Sequence, residues 1–400
     1  MPVVESETGK ITFMRFAINE HLRSVHPPPI SEVKEWAAQR PEGAAPLLDL
    51  CQAVPDYAPP PELLQHISQA VYDPLTSRYT PDEGLPEVRE AACRRYQRRY
   101  AAKMGPDQVC LTVGASAAFW LALVSLCHAG DELIVQLPCY FDHPMALQAL
   151  GVRPVYAPYR EKERGLPDPA TIEALITPRT RAILLVTPSN PTGTVIPPDL
   201  LRDLYFLARR HRIALVLDET YSDFIEGMPH DLFTLEDWHS TLVQVMSFGK
   251  SYALTGYRAG MLAAAPELIR QALKLQDTMT VCQPRITQLA LQYGLDHLDH
   301  WVEVNRRMMS FRHNLFVEEF NLPGNRFRLA ASGSFFAWVR HPFSGRSGRE
   351  VARRLAIESG ILVLPGEVFG PGLEEYLRLA FGNIKEQQIK EAVYRFRSAA

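Results

Sequence analysis

The stretch that decides the fold is AILLVTPSNPTG, residues 182–193. Its first five residues are apolar, and a turn with two prolines and a glycine follows them. An apolar run of this length predicts a short strand that is buried on both faces, as in a parallel sheet flanked by helices. Ligands of open parallel sheets bind beyond the carboxyl ends of the strands. The turn after this run is therefore a place to search for a binding site.

Similar apolar runs recur along the chain, and helical patterns separate them. The runs are ELIVQ (132–136), IALVLD (213–218) and LVQVMSF (242–248), and the helical segments include residues 84–100 and 197–212. Strands that alternate with helices predict an α/β fold with crossover helices. We therefore expect a large domain with a mainly parallel sheet and helices on both of its faces.

The pattern changes in the last quarter of the chain. A long helical segment (300–320) precedes a predicted strand, SGSFFAWVRH (332–341), and a second helix (348–360). The strands ILVLPG and YLRLAFG and a closing helix follow, which together predict a smaller α+β domain. The predicted regions are an N-terminal segment that packs with the small domain (1–47), the large domain (48–294) and the small domain (295–400).

Composition and charge exclude several classes of protein. The chain has 400 residues, 46% of them hydrophobic, and its formal net charge of -3 offers no basic excess for nucleic acid or anionic lipid. Its six cysteines form no C-x-x-C pair, so we expect neither a metal site nor a disulfide framework. The longest apolar run (117–127) is too short for a bilayer, and the N-terminus lacks the apolar core of a signal peptide. We therefore expect a soluble, cytoplasmic protein.

Two short segments, one before an apolar helix and one after an apolar run, could bind an anion or a small molecule. Gly114, Ala115 and Ser116 lead into an apolar helix, where free backbone N–H groups and the helix dipole favour an anion. By itself this pattern is also that of an ordinary helix start. Asn190 precedes Pro191 in the turn of the opening stretch, and an ordinary turn would explain it equally well.

A carboxylate and an amine follow the next two strands. Asp218 ends an apolar strand and needs a partner there, although a helix N-cap or a local ion pair would satisfy it. Lys250 lies among small and apolar residues in SFGKSYALTGYRAG (247–260). An apolar pocket lowers the pKa of an amine and favours one that forms a Schiff base, whereas a surface cation is the alternative. Ser247 and Arg258 flank this lysine and could bind a phosphate.

These parts, in this order, are those that pyridoxal phosphate requires. The cofactor needs a lysine for its imine, a cradle for its phosphate and a carboxylate that keeps its ring nitrogen protonated. The segments SNPTG, DETY and SFGKSYALTGYRAG resemble the class I/II aminotransferases, which are fold-type I pyridoxal-phosphate enzymes, and the resemblance extends from about residue 48 to 381. It implies the fold-type I architecture, pyridoxal 5'-phosphate as cofactor, and ping-pong transfer of an amino group from an α-amino acid to a 2-oxo acid.

The resemblance also implies roles for residues around the cofactor ring. Lys250 forms the Schiff base and moves the proton, and Asp218 pairs with the ring nitrogen. Asn190 and Tyr221 hydrogen-bond the phenolic oxygen, although plain packing is the alternative for Tyr221. Tyr140 stacks on the ring. In the same segment, LPCYFDH, His143 supports Asp218 or is simply an ordinary histidine.

Other roles concern the phosphate, the substrate and the partner subunit. The phosphate region comprises Gly114, Ala115, Ser116, Ser247 and Arg258. Arg378 in EYLRLAFG matches the arginine that grips the substrate α-carboxylate. Tyr79 in SRYTPDEGLPEVREA matches a tyrosine that reaches the neighbouring subunit's phosphate, which implies a homodimer with shared active sites.

Two positions leave the substrate open. Ala53 stands where relatives usually carry a glycine, so its methyl group could narrow the substrate site and puts a plain aspartate specificity in doubt. Arg285 lies in a region that often borders the substrate site, with a surface or structural role as the alternative.

Two other functions remain open at this point. A lyase, cyclase or oxidase that acts on amino acids would use the same cofactor residues. A non-catalytic ligand-binding module, such as the effector domain of a regulator, is a remote alternative, because the residues before the large domain show no helix-turn-helix pattern or basic patch.

Overall fold

The structure is a computed structural model that describes residues 16–399 and, before them, the backbone of residues 4–5 and 11–12. The expectation that the N-terminus forms no signal peptide lies outside these residues. No helix in the described part of the chain is both long and apolar enough to cross a bilayer. All six cysteines are free thiols, and no cluster of potential metal ligands occurs among the described residues.

Strands and helices alternate through most of the chain. The strands are β1 (Val4–Glu5), β2 (Ile11–Thr12), β3 (Leu48–Asp49), β4 (Val109–Val113), β5 (Glu132–Gln136), β6 (Arg153–Ala157), β7 (Thr180–Val186), β8 (Ala214–Asp218), β9 (Leu242–Ser247), β10 (Ala259–Ala263), β11 (Arg328–Gly333), β12 (Phe336–Arg340), β13 (Ile361–Leu362), β14 (Leu364–Pro365) and β15 (Tyr376–Ala380). The helices are α1 (Glu20–Ser24), α2 (Pro29–Ala38), α3 (Pro61–Val71), α4 (Pro86–Tyr100), α5 (Gly114–Leu126), α6 (Asp142–Leu150), α7 (Pro169–Ala174), α8 (Pro198–Arg210), α9 (Pro266–Thr280), α10 (Arg285–His297), α11 (Asp299–Phe320), α12 (Gly348–Arg354) and α13 (Glu386–Ala399).

A seven-stranded sheet forms the centre of the molecule. Its strand order is β4-β10-β9-β8-β7-β5-β6, in which only β10 runs antiparallel to its neighbours. The four apolar runs that the sequence singles out are strands β5, β7, β8 and β9. Their side chains are almost entirely buried, because helices cover both faces of the sheet. The predicted α/β fold with a mainly parallel sheet is thereby confirmed.

The helix α8 shows how the sequence specifies these covering elements. Pro198 opens the helix, where its missing N–H costs no hydrogen bond. Leu201, Leu204, Tyr205 and Ala208 recur at helical spacing and are all buried. Because one face of the helix is apolar and the other polar, it packs flat against the sheet.

The second sheet is antiparallel and has the order β11-β12-β15-β14. The prediction of one strand over residues 332–341 is wrong, because the stretch bends at Ser334 and belongs to both β11 and β12. Ser334 takes a left-handed conformation (φ 51°) without the glycine or asparagine that usually signals it. The run ILVLPG is likewise two strands: β13 pairs with β3, and β14 pairs with β15.

The N-terminal segment contacts both parts of the chain. The helix α2 packs against α12 with Val33 and Trp36 buried, whereas α1 packs against α6 beside the central sheet. The central sheet lies within residues 109–263, and the second sheet lies within residues 328–380. The bounds of the three predicted regions remain predictions.

The turn after β7 contacts the end of β11 at a pair of glycines. A Cβ atom on Gly193, in the turn after β7, would lie 2.2 Å from the carbonyl oxygen of Gly333. A Cβ atom on Gly333, at the end of β11, would lie 2.1 Å from the carbonyl oxygen of Gly193. The main chains of the two turns are therefore in direct contact, with no side chain between them.

Candidate active site

A cavity of about 600 Å³ opens at the carboxyl ends of β7, β8 and β9. Its size is typical of a site for a cofactor and a small substrate. Most of the residues that the sequence proposes for the cofactor line it: Ala115, Ser116, Tyr140, His143, Asn190, Asp218, Tyr221, Ser247, Lys250 and Arg258. These residues come from five separate segments of the chain, and the parallel sheet brings the segments together because its strands end at one edge.

Asp218 is held as a buried carboxylate at the end of β8. The backbone N–H of Thr220 donates to its Oδ1 at 2.9 Å, and Nε2 of His143 lies 3.2 Å from its Oδ2. The ring of His143 packs against Phe119 at 4.4 Å and edge-on against Tyr140 at 5.4 Å. Because these rings fix the imidazole, the carboxylate keeps one orientation toward the cavity.

Lys250 follows β9 and extends its amine into the cavity. Burial, and secondly the nearby Arg258 guanidinium, lower the pKa of the amine from 10.5 to about 8. The hydroxyl of Tyr57 donates to the backbone carbonyl of Lys250 at 3.0 Å and so fixes the loop from behind. No carboxylate of the described residues forms an ion pair with the amine. Such an amine is suited to nucleophilic and base chemistry rather than to a salt bridge.

An anion cradle lies at the start of α5. Gly114 has a left-handed backbone (φ 79°), and a Cβ atom on it would lie 2.4 Å from Nη2 of Arg258. The guanidinium therefore lies directly against the helix N-terminus, where free N–H groups also favour an anion. Arg258 itself has a left-handed backbone (φ 59°), and its Nη1 donates to the carbonyl oxygen of Thr255 at 3.1 Å. Ser247 lines the same end of the cavity.

Arg378 lies on β15 and is only 1% exposed. Its Nη1 donates to Oδ1 of Asn190 at 3.3 Å, and its Nη2 donates to the carbonyl oxygen of Cys51 at 2.5 Å. The guanidinium carbon lies 5.7 Å from the ring centroid of Phe336 and 5.5 Å from that of Phe369. Burial lowers the pKa of this guanidinium. Arg378 forms no ion pair with the described residues, so its buried positive charge has no carboxylate partner among them. It is not one of the residues that line the cavity.

Gly114 and Arg378 are not among the residues that line the cavity, and the same holds for three other predicted residues. Ala53 is partly buried against the core, and Arg285 is the first residue of α10. The side chain of Tyr79 is 79% exposed. Tyr221, in contrast, lines the cavity, and its ring contacts Phe336 edge-on at 4.9 Å. Burial raises the pKa of Tyr221.

Sequence reasoning missed several residues that line or support the site. Trp120 and Phe119 on α5 line the cavity, as do Val25, Met279 and four residues of α6. The position of Trp120, one turn after Ser116, is a signal that could have identified it, because residues four apart share a helix face. Nothing in the sequence around Tyr57 indicates that its hydroxyl reaches a loop 193 positions away.

Comparison with known proteins agrees with this geometry. The model of the family "Aminotransferase class I and II" matches residues 45–396. An aromatic aminotransferase of Arabidopsis thaliana is 31% identical over 358 residues, which cover 88% of this chain and 89% of that protein. An aspartate aminotransferase of Pyrococcus horikoshii is 28% identical over 348 residues, or 86% of this chain and 88% of its own. The structure of a single mutant of Thermus thermophilus aspartate aminotransferase superposes with a TM-score of 0.89 at 26% identity and covers 97% of this chain and 100% of its own. The chain therefore belongs to the class I and II aminotransferases, pyridoxal-phosphate-dependent enzymes that move amino groups between amino acids and 2-oxo acids.

Proposed function

We propose that this chain transfers the amino group of an α-amino acid to a 2-oxo acid in two half-reactions, with pyridoxal 5'-phosphate bound in the cavity. The observation that carries the proposal is Lys250, an amine without an ion-pair partner among the described residues, which shares one cavity with the carboxylate of Asp218 and with an anion cradle. When bound, the cofactor supplies an electron-withdrawing ring that stabilises negative charge at the substrate Cα.

The residues of the cavity fit this cofactor. Its phosphate would be held by the N-terminus of α5, by Ser247 and by Arg258, whose guanidinium occupies the space beside Gly114. Asp218 would hold the ring nitrogen in its protonated form, and the contact with Nε2 of His143 fixes the orientation of its carboxyl group. Tyr140 would lie against the ring face.

Lys250 is the residue proposed to move protons. A pKa of about 8 leaves a substantial fraction of the amine unprotonated near neutral pH, so that Nζ accepts a proton from the substrate Cα. The same Nζ then returns the proton at a neighbouring atom. The hydrogen bond from Tyr57 to the Lys250 carbonyl limits movement of the loop from which the lysine side chain extends.

Arg378 is the residue proposed to orient the substrate. Its guanidinium would take the α-carboxylate in a two-point contact, and Asn190 and the Cys51 carbonyl hold the guanidinium in place. Because the carboxylate and the amino group are then both fixed, one bond at Cα is presented to Lys250.

A labelled amino group tests the proposal against the lyase and oxidase alternatives. We expect ¹⁵N from a labelled amino acid to appear in glutamate when 2-oxoglutarate is the acceptor, with mass spectrometry as the readout. The variant Lys250→Ala should abolish the transfer, whereas Lys274→Ala, at an exposed site on α9, serves as the matched control. Release of ¹⁵N-ammonia without labelled glutamate would refute the transaminase assignment.

The proposal includes a homodimer. Tyr79 and the nearby Val71, Tyr72 and Leu75 are large apolar side chains with high exposure, which supports a partner contact on this face. If Tyr79 completes the partner's site, mixing Lys250→Ala with Tyr79→Ala subunits restores one intact site per hybrid dimer. We expect about a quarter of the wild-type activity after subunit exchange. No recovery in a mixture that native mass spectrometry shows to contain hybrid dimers, with one subunit carrying an affinity tag that separates the masses, would exclude this role.

The names of the relatives leave the amino acid open, because aromatic and aspartate aminotransferases both occur among them.

A further inference from the structure

One wall of the cavity is apolar and contains none of the residues proposed to hold the cofactor. We define the apolar trough by Val25, Trp120, Met145, Ala146 and Ala149. The last three lie on one face of α6, at helical spacing, and Trp120 lies on α5 one turn after Ser116. The helix α1 packs against α6, so Val25, directly after α1, also lines the trough.

Small side chains give the trough its room. Ala146 and Ala149 lie one turn apart and are both partly exposed to the cavity, and the Trp120 ring is also partly exposed. The trough is part of the same 600 Å³ cavity as Lys250. The trough and the reactive amine therefore border one continuous space.

The charges of the cavity disfavour an acidic side chain in this trough. Among the described lining residues the cations are Lys250 and Arg258, and both belong to the proposed cofactor end. The charged group next to the trough is Asp142, which lies on the same face of α6 and accepts a hydrogen bond from the Tyr140 hydroxyl at 2.7 Å. A second substrate carboxylate there would meet the like charge of Asp142, and neither cation of the described lining residues of this chain lies in the trough. Such a placement is costly in an apolar site.

We infer that the apolar trough binds the side chain of the amino donor and selects large, uncharged, apolar side chains over acidic ones. The inference rests on the proposed function and adds its substrate class. Burial of a benzyl or thioether side chain in the trough favours such donors over alanine by a factor of roughly 10 to 100 in kcat/KM. Aspartate and glutamate fall below alanine.

The test uses the enzyme loaded with pyridoxal phosphate and one donor at a time. Loss of the cofactor's aldehyde-form absorbance in a single half-reaction gives kcat/KM for phenylalanine, methionine, alanine and aspartate. We expect phenylalanine and methionine to exceed alanine at least tenfold. The variant Ala149→Leu, which fills the trough, should lower the phenylalanine-to-alanine ratio at least tenfold. The matched control Ser125→Leu, on α5 but away from the lining, should leave that ratio unchanged.

A binding measurement separates the trough from the chemistry. Calorimetry with 3-phenylpropionate and with succinate, which carry the carboxylate but no amino group, should show tighter binding of 3-phenylpropionate, and Ala149→Leu should remove the difference. Equal or tighter binding of succinate, or aspartate as the faster donor, would overturn the inference while leaving the transaminase assignment intact. Absence of any absorbance change with all four donors would instead overturn the proposed function and this inference with it.

Discussion

The pKa of Lys250 makes a prediction that does not depend on the cofactor. In the cofactor-free protein the amine should titrate near pH 8, because burial and the Arg258 guanidinium both disfavour its charged form. The difference from the ordinary value of 10.5 corresponds to about 3 kcal/mol against protonation. At pH 7.5 the unprotonated fraction is then roughly 200-fold larger than for an ordinary lysine.

Removal of the neighbouring charge should shift this titration upward. The variant Arg258→Met deletes the smaller of the two causes, so the midpoint should rise but stay below 10.5, since the amine remains buried. The shift has this sign because a like charge nearby opposes protonation, and its loss makes protonation easier.

Competitive acetylation measures the midpoint directly. A trace of acetic anhydride is added to cofactor-free protein at each pH, and mass spectrometry compares acetylation of Lys250 with that of Lys274, an exposed lysine on α9. The variant Lys250→Met identifies the peptide. A wild-type midpoint at 10.5, or an unchanged midpoint in Arg258→Met, would show that the reasoning about this amine is wrong.

Three further substitutions test separate parts of the structure. Arg378→Leu should lower kcat/KM for amino donors by roughly 100-fold or more, because a charge-assisted two-point contact is lost. The absorbance of the bound cofactor should not change. A loss of bound cofactor as large as the loss of kcat/KM would argue against a substrate role. Gly114→Ala should weaken cofactor binding at least tenfold in equilibrium dialysis. The new methyl group would overlap the Arg258 guanidinium, and the left-handed backbone at this position disfavours alanine. Unchanged affinity would show that Gly114 is not part of the phosphate site. Hydrogen bonds from Arg153 and Thr177 lower the pKa of Glu132 from 4.5 to about 2. The ionised form of Glu132 therefore stabilises the fold above pH 4.5, and this stabilisation is lost as the pH falls toward 2. Glu132→Gln should therefore lower Tm more at pH 6 than at pH 3, as calorimetry would show; an equal loss at both values would count against the ion pairs.

Sequence patterns predicted the central sheet well because its strands are buried on both faces. Such strands need continuous apolar runs, and β5, β7, β8 and β9 each have one. The strand β6 contains Arg153 and Pro154 at the edge of the sheet, so no apolar run marks it. Edge strands tolerate such residues because one side of their backbone has no strand partner.

The hairpin at Ser334 shows the limit of the same approach. Aromatic and apolar residues continue through the turn, and Ser334 has a left-handed backbone that its residue type does not signal. The residues of the candidate site likewise fall into a group that the sequence predicts and a group that it does not. Lys250, Asp218 and Asn190 follow strands and can be placed from order alone, whereas Trp120 and Tyr57 reach the site through packing between distant segments.

The contact between Gly193 and Gly333 restricts how this enzyme can evolve. Even alanine at either position would require one turn to withdraw from the other, since the added methyl group would overlap a carbonyl oxygen. No compensating deletion is open to the partner position, because it already lacks a side chain. A library that randomises both codons should therefore return glycine at both, and attempts to broaden donor scope should leave these two codons untouched and draw their diversity from the helices that line the cavity.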